Sequence, residues 1–389
     1  MIQLSERTKY FTDSVIRRMT RVCNQYGAVN LSQGFPDNDP PKPLMDRLEK
    51  VAHTGPHQYA ITWGAPKTLD ALAKKIEHFS GIKVDPQQEL CITCGGTEAM
   101  MCAVMATINP GEKIAIFSPF YENYGADSVL CGATPIYVPL HVPDFSFDEN
   151  ELENAFKQGA KALILCNPSN PSGKVFTRDE LLAIARIVEK YNAFVITDEV
   201  YEHIIFEPYH HTYFATLLGM KDRTVMCNSL SKTYSITGWR LGYVCAPAYV
   251  MDRVRKVHDF LTVGAAAPLQ EAVIAGLELP DSYYQGVRDL FTHRKNIFCK
   301  GLDEIGLKYY EPQGTYFVMV DIGEFGYESD YDFCIDLARD VKVGAVPGSS
   351  FFKEPVNNYI RLHFAKSDET LHEALNNLSK IREIIKVKK

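Results

Sequence analysis

Excess positive charge, long apolar runs and paired cysteine motifs are all scarce in this sequence of 389 residues, and each scarcity excludes something. The 41 Lys and Arg against 48 Asp and Glu leave a net charge of -7, so no overall positive field attracts phosphate backbones and no nucleic-acid partner is expected. The longest helix-like apolar stretch, Ala99 to Ile108, is about half of the ~20 residues that span a bilayer, so no membrane helix is expected. Met1 to Thr12 mixes Glu6, Arg7 and Lys9 into short apolar pieces and lacks the continuous apolar core of a secretory signal, which implies a cytoplasmic protein. The 10 cysteines are scattered singly apart from Cys91 and Cys94, and Cys102, Cys166 and Cys227 sit inside apolar runs as small core residues. That usage suits a reducing compartment. The lone CxxC has no second CxxC and no nearby His pair to complete a site, so it reads as packing and no metal is expected. His210 and His211, close to Pro208, lack the spacing of a metal motif and read as a solvated loop. No repeat of about 20 to 50 residues occurs, which excludes solenoids and propellers.

What is present is ordinary globular material, 46% hydrophobic with 25 Gly and 21 Pro, long enough for about two to three domain-sized units. Lys113 to Ser118, Lys161 to Cys166, Ala193 to Thr197, Thr224 to Asn228 and Gly242 to Ala246 are short apolar runs that suit strands covered on both faces. Between them, Asp179 to Tyr191 carries Leu181, Leu182, Ala185 and Val188 at helical spacing. The alternation predicts an α/β domain with a mostly parallel central sheet flanked by helices. After about residue 280 the texture changes to long helical stretches (Tyr283 to Leu302, Tyr331 to Asp340, Glu369 to Val387) with strands at Thr315 to Val320 and Tyr359 to Phe364, a smaller α+β domain. The Pro-rich stretch Phe35 to Pro43 reads as an extended arm or hinge. The expected division is therefore an arm and small-domain segment over 1–43, a large domain over 44–280 and a small domain over 281–389.

In an open parallel sheet, ligands bind beyond the carboxyl ends of the strands. Three successive strands deliver Asn167-Pro168-Ser169-Asn170-Pro171-Ser172-Gly173, then Asp198-Glu199-Val200-Tyr201, then Ser229-Leu230-Ser231-Lys232. Each alone has an ordinary explanation in turns, strand ends or solvated charge. Together with Gly95-Gly96-Thr97-Glu98, which comes after the strand Glu89 to Thr93 and opens a helix, they describe a polar site with an anion seat.

Ser229-Leu230-Ser231-Lys232-Thr233-Tyr234, with Gly238-Trp239-Arg240-Leu241-Gly242 just beyond, resembles the pyridoxal-phosphate lysine signature of class I and II aminotransferases, a fold type I family. Asn167 to Gly173, Asp198 to Tyr201 and Tyr359-Ile360-Arg361-Leu362 fall in that family's order, and the resemblance covers nearly the whole chain. It implies pyridoxal 5'-phosphate as cofactor. Lys232 would hold it as a Schiff base and carry the proton from the substrate Cα. Asp198 would pair with the ring nitrogen, while Asn170 and Tyr201 would hydrogen-bond the ring oxygen. Tyr121 matches the aromatic position that stacks on the ring. Gly96, Thr97, Ser229 and Arg240 would hold the phosphate. Tyr59 matches a tyrosine that reaches the neighbouring subunit's phosphate, so the resemblance implies a homodimer. Arg361 would bind the substrate carboxylate, with Asn170 and Gly34 beside it.

The implied reaction moves an amino group from an L-amino acid to a 2-oxo acid, 2-oxoglutarate being the expected acceptor, by a ping-pong mechanism. Two alternatives stay open: a C-S lyase or aminocyclopropane-carboxylate-synthase-like elimination enzyme, and a noncatalytic regulator retaining the fold. Leu31-Ser32-Gln33-Gly34-Phe35-Pro36 is similar to the methionine, glutamine and kynurenine transaminase branch, from which Asn38-Asp39-Pro40-Pro41 departs. The cation that would read a substrate side-chain carboxylate is not identified by sequence.

Overall fold

The computed structural model describes residues 2 and 4–385. In chain order its main elements are α1 (Val15–Tyr26), β1 (Val29–Asn30), α2 (Lys42–Thr54), α3 (Pro66–Ser80), β2 (Leu90–Thr93), α4 (Gly96–Thr107), β3 (Lys113–Ser118), α5 (Glu122–Leu130), β4 (Thr134–His141), β5 (Ser146–Phe147), α6 (Glu149–Lys157), β6 (Ala160–Cys166), α7 (Arg178–Lys190), β7 (Phe194–Asp198), β8 (Thr224–Ser229) and β9 (Gly242–Cys245). The chain continues through α8 (Ala248–Thr262), α9 (Ala267–Leu277), α10 (Asp281–Ile305), β10 (Lys308–Tyr310), β11 (Phe317–Asp321), α11 (Asp330–Asp336), β12 (Val343–Gly344), β13 (Val346–Pro347), β14 (Tyr359–His363), α12 (Asp368–Leu378) and α13 (Ile381–Ile384).

The central sheet runs β2-β9-β8-β7-β6-β3-β4-β5, with β3, β4, β6, β7 and β8 parallel to their neighbours in that group and β9 antiparallel to both of its own. Its middle strands are apolar along most of their length because both faces are covered. Along β6, Ala162 and Ile164 face the core under α4 and α8, while Leu163 and Leu165 face the core under α6 and α7. The latter helix starts at a capping box in which Thr177 and Glu180 each bond the other's backbone N–H. Leu182, expected on its buried stripe, is partly exposed, and Ile184 packs inward instead.

A second, antiparallel sheet of order β10-β11-β14-β13 carries α10 and α12 in a separate core. The amino-terminal segment joins this smaller domain, since β1 pairs in parallel with β12 and α1 packs beside it. Two expected helices are broken. Tyr331 to Asp340 is α11 and then one wide turn over Leu337–Val341. Glu369 to Val387 is α12 and α13 with a break at Ser379 and Lys380, and Val387 lies outside the described residues. Among the described residues no helix is long and apolar enough to cross a membrane.

Candidate active site

Register brings the three strand ends together. Cys166 at the end of β6 lies opposite Asp198 at the end of β7, and Asp198 lies opposite Cys227 in β8, so the loops beyond them open on one side of the sheet. They face a cavity of about 400 Å³. Lys232, Asp198, Tyr201, Asn170, Ser229, Arg240, Gly96, Thr97, Tyr121, Gly34 and Arg361 all line it. Of the residues expected at the site, Tyr59 alone lies elsewhere, 87% exposed.

Lys232 Nζ donates to the Gly34 carbonyl at 3.1 Å, and the Tyr316 hydroxyl donates to the same oxygen at 3.0 Å. A Cβ on Gly34 would strike the Phe317 and Tyr316 rings, so only glycine lets the entrance segment pass this close. Burial, then the guanidinium charges of Arg240 and Arg361, lowers the Lys232 amine to about 8, against the pull of Asp198. Asp198 lines the cavity with no ion-pair partner within 4 Å among the described residues. Its Oδ2 accepts from the Tyr124 hydroxyl at 2.7 Å and its Oδ1 from the Val200 N–H at 3.2 Å. Burial pushes its pKa up despite those bonds. Tyr201 packs edge-on against Tyr316 and Phe317, and burial raises its hydroxyl well above the usual value. Tyr121, at the start of α5, is raised to about 12 by burial and by the charges of Glu122 and Asp198.

Arg361 sits on β14 in the smaller sheet and is fully buried. Its guanidinium carbon lies 4.1 Å from the Phe317 ring centre and 4.5 Å from that of Phe351, and it donates to Asn170 Oδ1 at 2.7 Å and to the Ser32 carbonyl at 3.0 Å. Its Nε has no partner. Burial lowers its pKa to about 10, so the cation persists at neutral pH.

The anion seat is built by close packing. Gly95 caps α4 at φ +86°, and a Cβ there would collide with the Arg240 guanidinium. The first amides of a helix have no intrahelical acceptor, so Gly96 and Thr97 offer free N–H groups beside Ser229 and Arg240. Arg240 makes no ion pair among the described residues; it donates to the Thr237 carbonyl at 3.0 Å and turns toward the cavity. These features fit pyridoxal 5'-phosphate: one cavity offers an anion seat, a carboxyl lacking a cation and an amine of lowered pKa.

Sequence reasoning missed several lining groups. Tyr124 holds Asp198 from α5, three residues past Tyr121. Glu122 accepts from the Ser14 hydroxyl and from the Val15 N–H, pinning the start of α1 over the mouth, where Arg17 and Gln33 also stand. The Arg17 guanidinium has no partner among the described residues and is the cavity's fourth basic group, beside Lys232, Arg240 and Arg361. His211, expected in solvent, turns inward with its Nε2 3.2 Å from Glu199, while His210 remains exposed. The 10 cysteines are all free thiols, Cys91 within the core and Cys94 partly buried beside the anion seat.

The family model described as aminotransferase class I and II matches residues 26–378. The chain is 35% identical to the solved N-succinyldiaminopimelate aminotransferase of Mycobacterium tuberculosis, over 97% of this chain and 99% of that one, with a TM-score of 0.94. It is 33% identical to the methionine aminotransferase of Escherichia coli, covering 95% of this chain and 96% of that protein. Identity is 31% to a kynurenine–oxoglutarate transaminase of Dictyostelium discoideum, over 97% and 96%.

Proposed function

Since the chain belongs to the class I and II aminotransferases and is a pyridoxal-phosphate-dependent enzyme of amino-group transfer, we propose that it accepts the amino group of an L-amino acid and delivers it to 2-oxoglutarate, with the cavity between the two sheets as its active site. The observation that carries this reading is the convergence of Lys232, Asp198, Ser229, Arg240 and Arg361 on one cavity from separate parts of the fold. When bound, the cofactor supplies an aldehyde that takes up the amino group and a ring that accepts the electron pair left at Cα.

The chain's own groups do the rest. Lys232 Nζ, neutral in useful amount near pH 8, removes the Cα proton. Asp198 would hold a proton on the ring nitrogen, its carboxylate having no cation among the described residues to pair with. Arg361 orients the substrate by its carboxylate through N–H groups left over from Asn170 and Ser32. Asn170, whose side-chain oxygen is engaged by Arg361, would have its amide N–H groups left for the ring oxygen, beside Tyr201. Gly96, Thr97, Ser229 and Arg240 would take the phosphate, and Tyr121 would lie against the ring.

A homodimer, with Tyr59 reaching the partner's phosphate, is part of the same proposal. Tyr59 and Ile61 are exposed at 87% and 45%, and Phe260 and Val263 at 91% and 51%. The His258 bond to the Thr62 carbonyl joins the segment of Tyr59 and Ile61 to α8 beside the anion seat, and the exposed apolar side chains of these two segments are the proposed dimer face. Ten free thiols support a reducing, cytoplasmic location. A division near 43 and 280 is supported by the docking of α1 and β1 on β12, by the packing on α9 of α2, which starts at Lys42, and by the start of α10 at Asp281.

The decisive experiment is the half-reaction: a panel of amino donors should bleach the cofactor's imine band, and 2-oxoglutarate should restore it. Pyruvate or ammonia release without acceptor would refute the transfer reading. Phe260→Asp should yield monomers in sedimentation with weakened cofactor binding; an unchanged sedimentation coefficient would refute the proposed dimer face.

A further inference from the structure

Behind the anion seat, outside the cavity, lies a buried acid–base pair that none of these roles uses. Glu98 is the third residue of α4. Its Oε2 accepts from the Cys94 N–H at 2.5 Å, and its Oε1 accepts from His258 Nδ1 at 2.7 Å and from the Thr262 hydroxyl at 2.8 Å. His258 and Thr262 stand one turn apart on α8. His258 Nε2 donates in turn to the Thr62 carbonyl at 2.9 Å. The imidazole is 0% exposed and the Glu98 side chain 9%.

Both imidazole nitrogens face acceptors, so both carry hydrogen and the ring is a cation paired with a carboxylate. Burial pulls His258 down, but the Glu98 bond and charge, with the Thr62 carbonyl, leave its pKa raised. Burial likewise pushes Glu98 up, but the His258 and Cys94 bonds leave it lowered. The Cys102 thiol completes a cluster with ligand spacing. An imidazolium has no lone pair to give, so the cluster is not a metal site in this protonation state.

Glu98 poses an electrostatic problem. A carboxylate in the first turn suits an empty helix N-terminus, yet it repels an anion bound at the same amides. The proton on His258 removes that repulsion while the bonds to Cys94 and Thr62 fix the loop before Gly96 and the segment that carries Tyr59. We propose that Glu98 and His258 are a positioning pair for the cofactor phosphate, neutralising the helix start and holding the Gly96 and Thr97 amides in line. This inference rests on the reading of Gly96, Thr97, Ser229 and Arg240 as the phosphate seat.

The test compares dissociation constants of pyridoxal phosphate and of phosphate-free pyridoxal for the cofactor-free protein, by absorbance titration. His258→Gln leaves the Glu98 charge uncompensated and should weaken pyridoxal phosphate about tenfold or more, a charged hydrogen bond's worth, with pyridoxal changed less than about twofold. The double variant Glu98→Gln, His258→Gln removes both charges and should recover most of the loss, which a merely structural role would not produce. Equal weakening of both ligands, no weakening at all, or a double variant as weak as the single would overturn the pair's role. If His258→Gln does not fold, Thr262→Val carries the test: a few-fold loss confined to the phosphate form is expected, and equal effects on both ligands overturn it. Arg240→Met separates the two levels. It must itself weaken the phosphate form selectively; if it does not, the phosphate seat falls, and if it does while the His258 variant does not, only the pair's role falls.

Discussion

Dilute formaldehyde with cyanoborohydride methylates neutral amines, so a pH series on the cofactor-free protein ranks its lysines by the ease with which each loses its proton. Lys232 should stand apart. Burial, with the charges of Arg240 and Arg361, holds it at about 8 rather than 10.5. Roughly a tenth of it is then neutral at pH 7, against roughly 0.03% of an unperturbed lysine, a ratio of about 300. Restricted access lowers the absolute rate, so the diagnostic is the shape of the profile. Labelling of the Lys232 peptide, read by mass spectrometry, should climb about tenfold per pH unit up to pH 7.5 and flatten near 8, whereas an unperturbed lysine climbs to about 10. Arg240→Met removes one of the two cations and should move the midpoint upward by about half a unit to one unit. A Lys232 profile still climbing tenfold per unit at pH 9.5 would refute the electrostatic account. The lowered pKa also fixes a sign for stability: the unfolded chain binds the extra proton between about 8 and 10.5, so this group's contribution to stability grows as pH rises through that window.

Arg361→Lys loses both the fork to Asn170 and Ser32 and the stacking between Phe317 and Phe351; the KM for amino donor and for 2-oxo acid should each rise about tenfold to a hundredfold while the cofactor spectrum persists. Asp198→Asn retains room for the Tyr124 bond but not the charge, and stopped-flow half-reactions should slow by about a hundredfold or more with cofactor still bound. Lys75→Met strands Glu202, whose carboxylate pairs with Lys75 at 2.7 Å and also accepts from Tyr213 and Asn228; urea titration should show a loss of about 3–5 kcal/mol. Arg17→Met should raise the KM for acidic donors about fivefold, the modest worth of an exposed charge, and leave that for methionine unchanged in a steady-state panel.

The strand ends were legible because buried parallel strands are short, continuous apolar runs, so the polar residues just past each run are those the sheet presents at its carboxyl edge. That logic pointed to Asn170, Asp198 and Lys232, which the fold brings to one cavity. Helix continuity was less legible: Leu371, Leu378 and Ile381 keep their inward phase across the break at Ser379, so hydrophobic spacing carries no sign of it. The weak helix formers Asn376, Asn377 and Ser379 were the available cue. Tyr124, Glu122 and Arg17 were out of reach for another reason. Their roles depend on how α1 and α5 are set over the sheet, a tertiary relation that no local pattern encodes. His211 was misjudged because a loop histidine beside proline looks solvated until the buried Glu199 is seen next to it.

The floor of the cavity is fixed by strand termini of the large sheet, whereas Arg17 and Gln33 hang over its mouth from the amino-terminal segment. The two can vary independently. Duplicated genes could drift at these lip codons and acquire new diets while inheriting the reaction machinery intact. A combinatorial library confined to the same codons would survey altered appetites with few misfolded members.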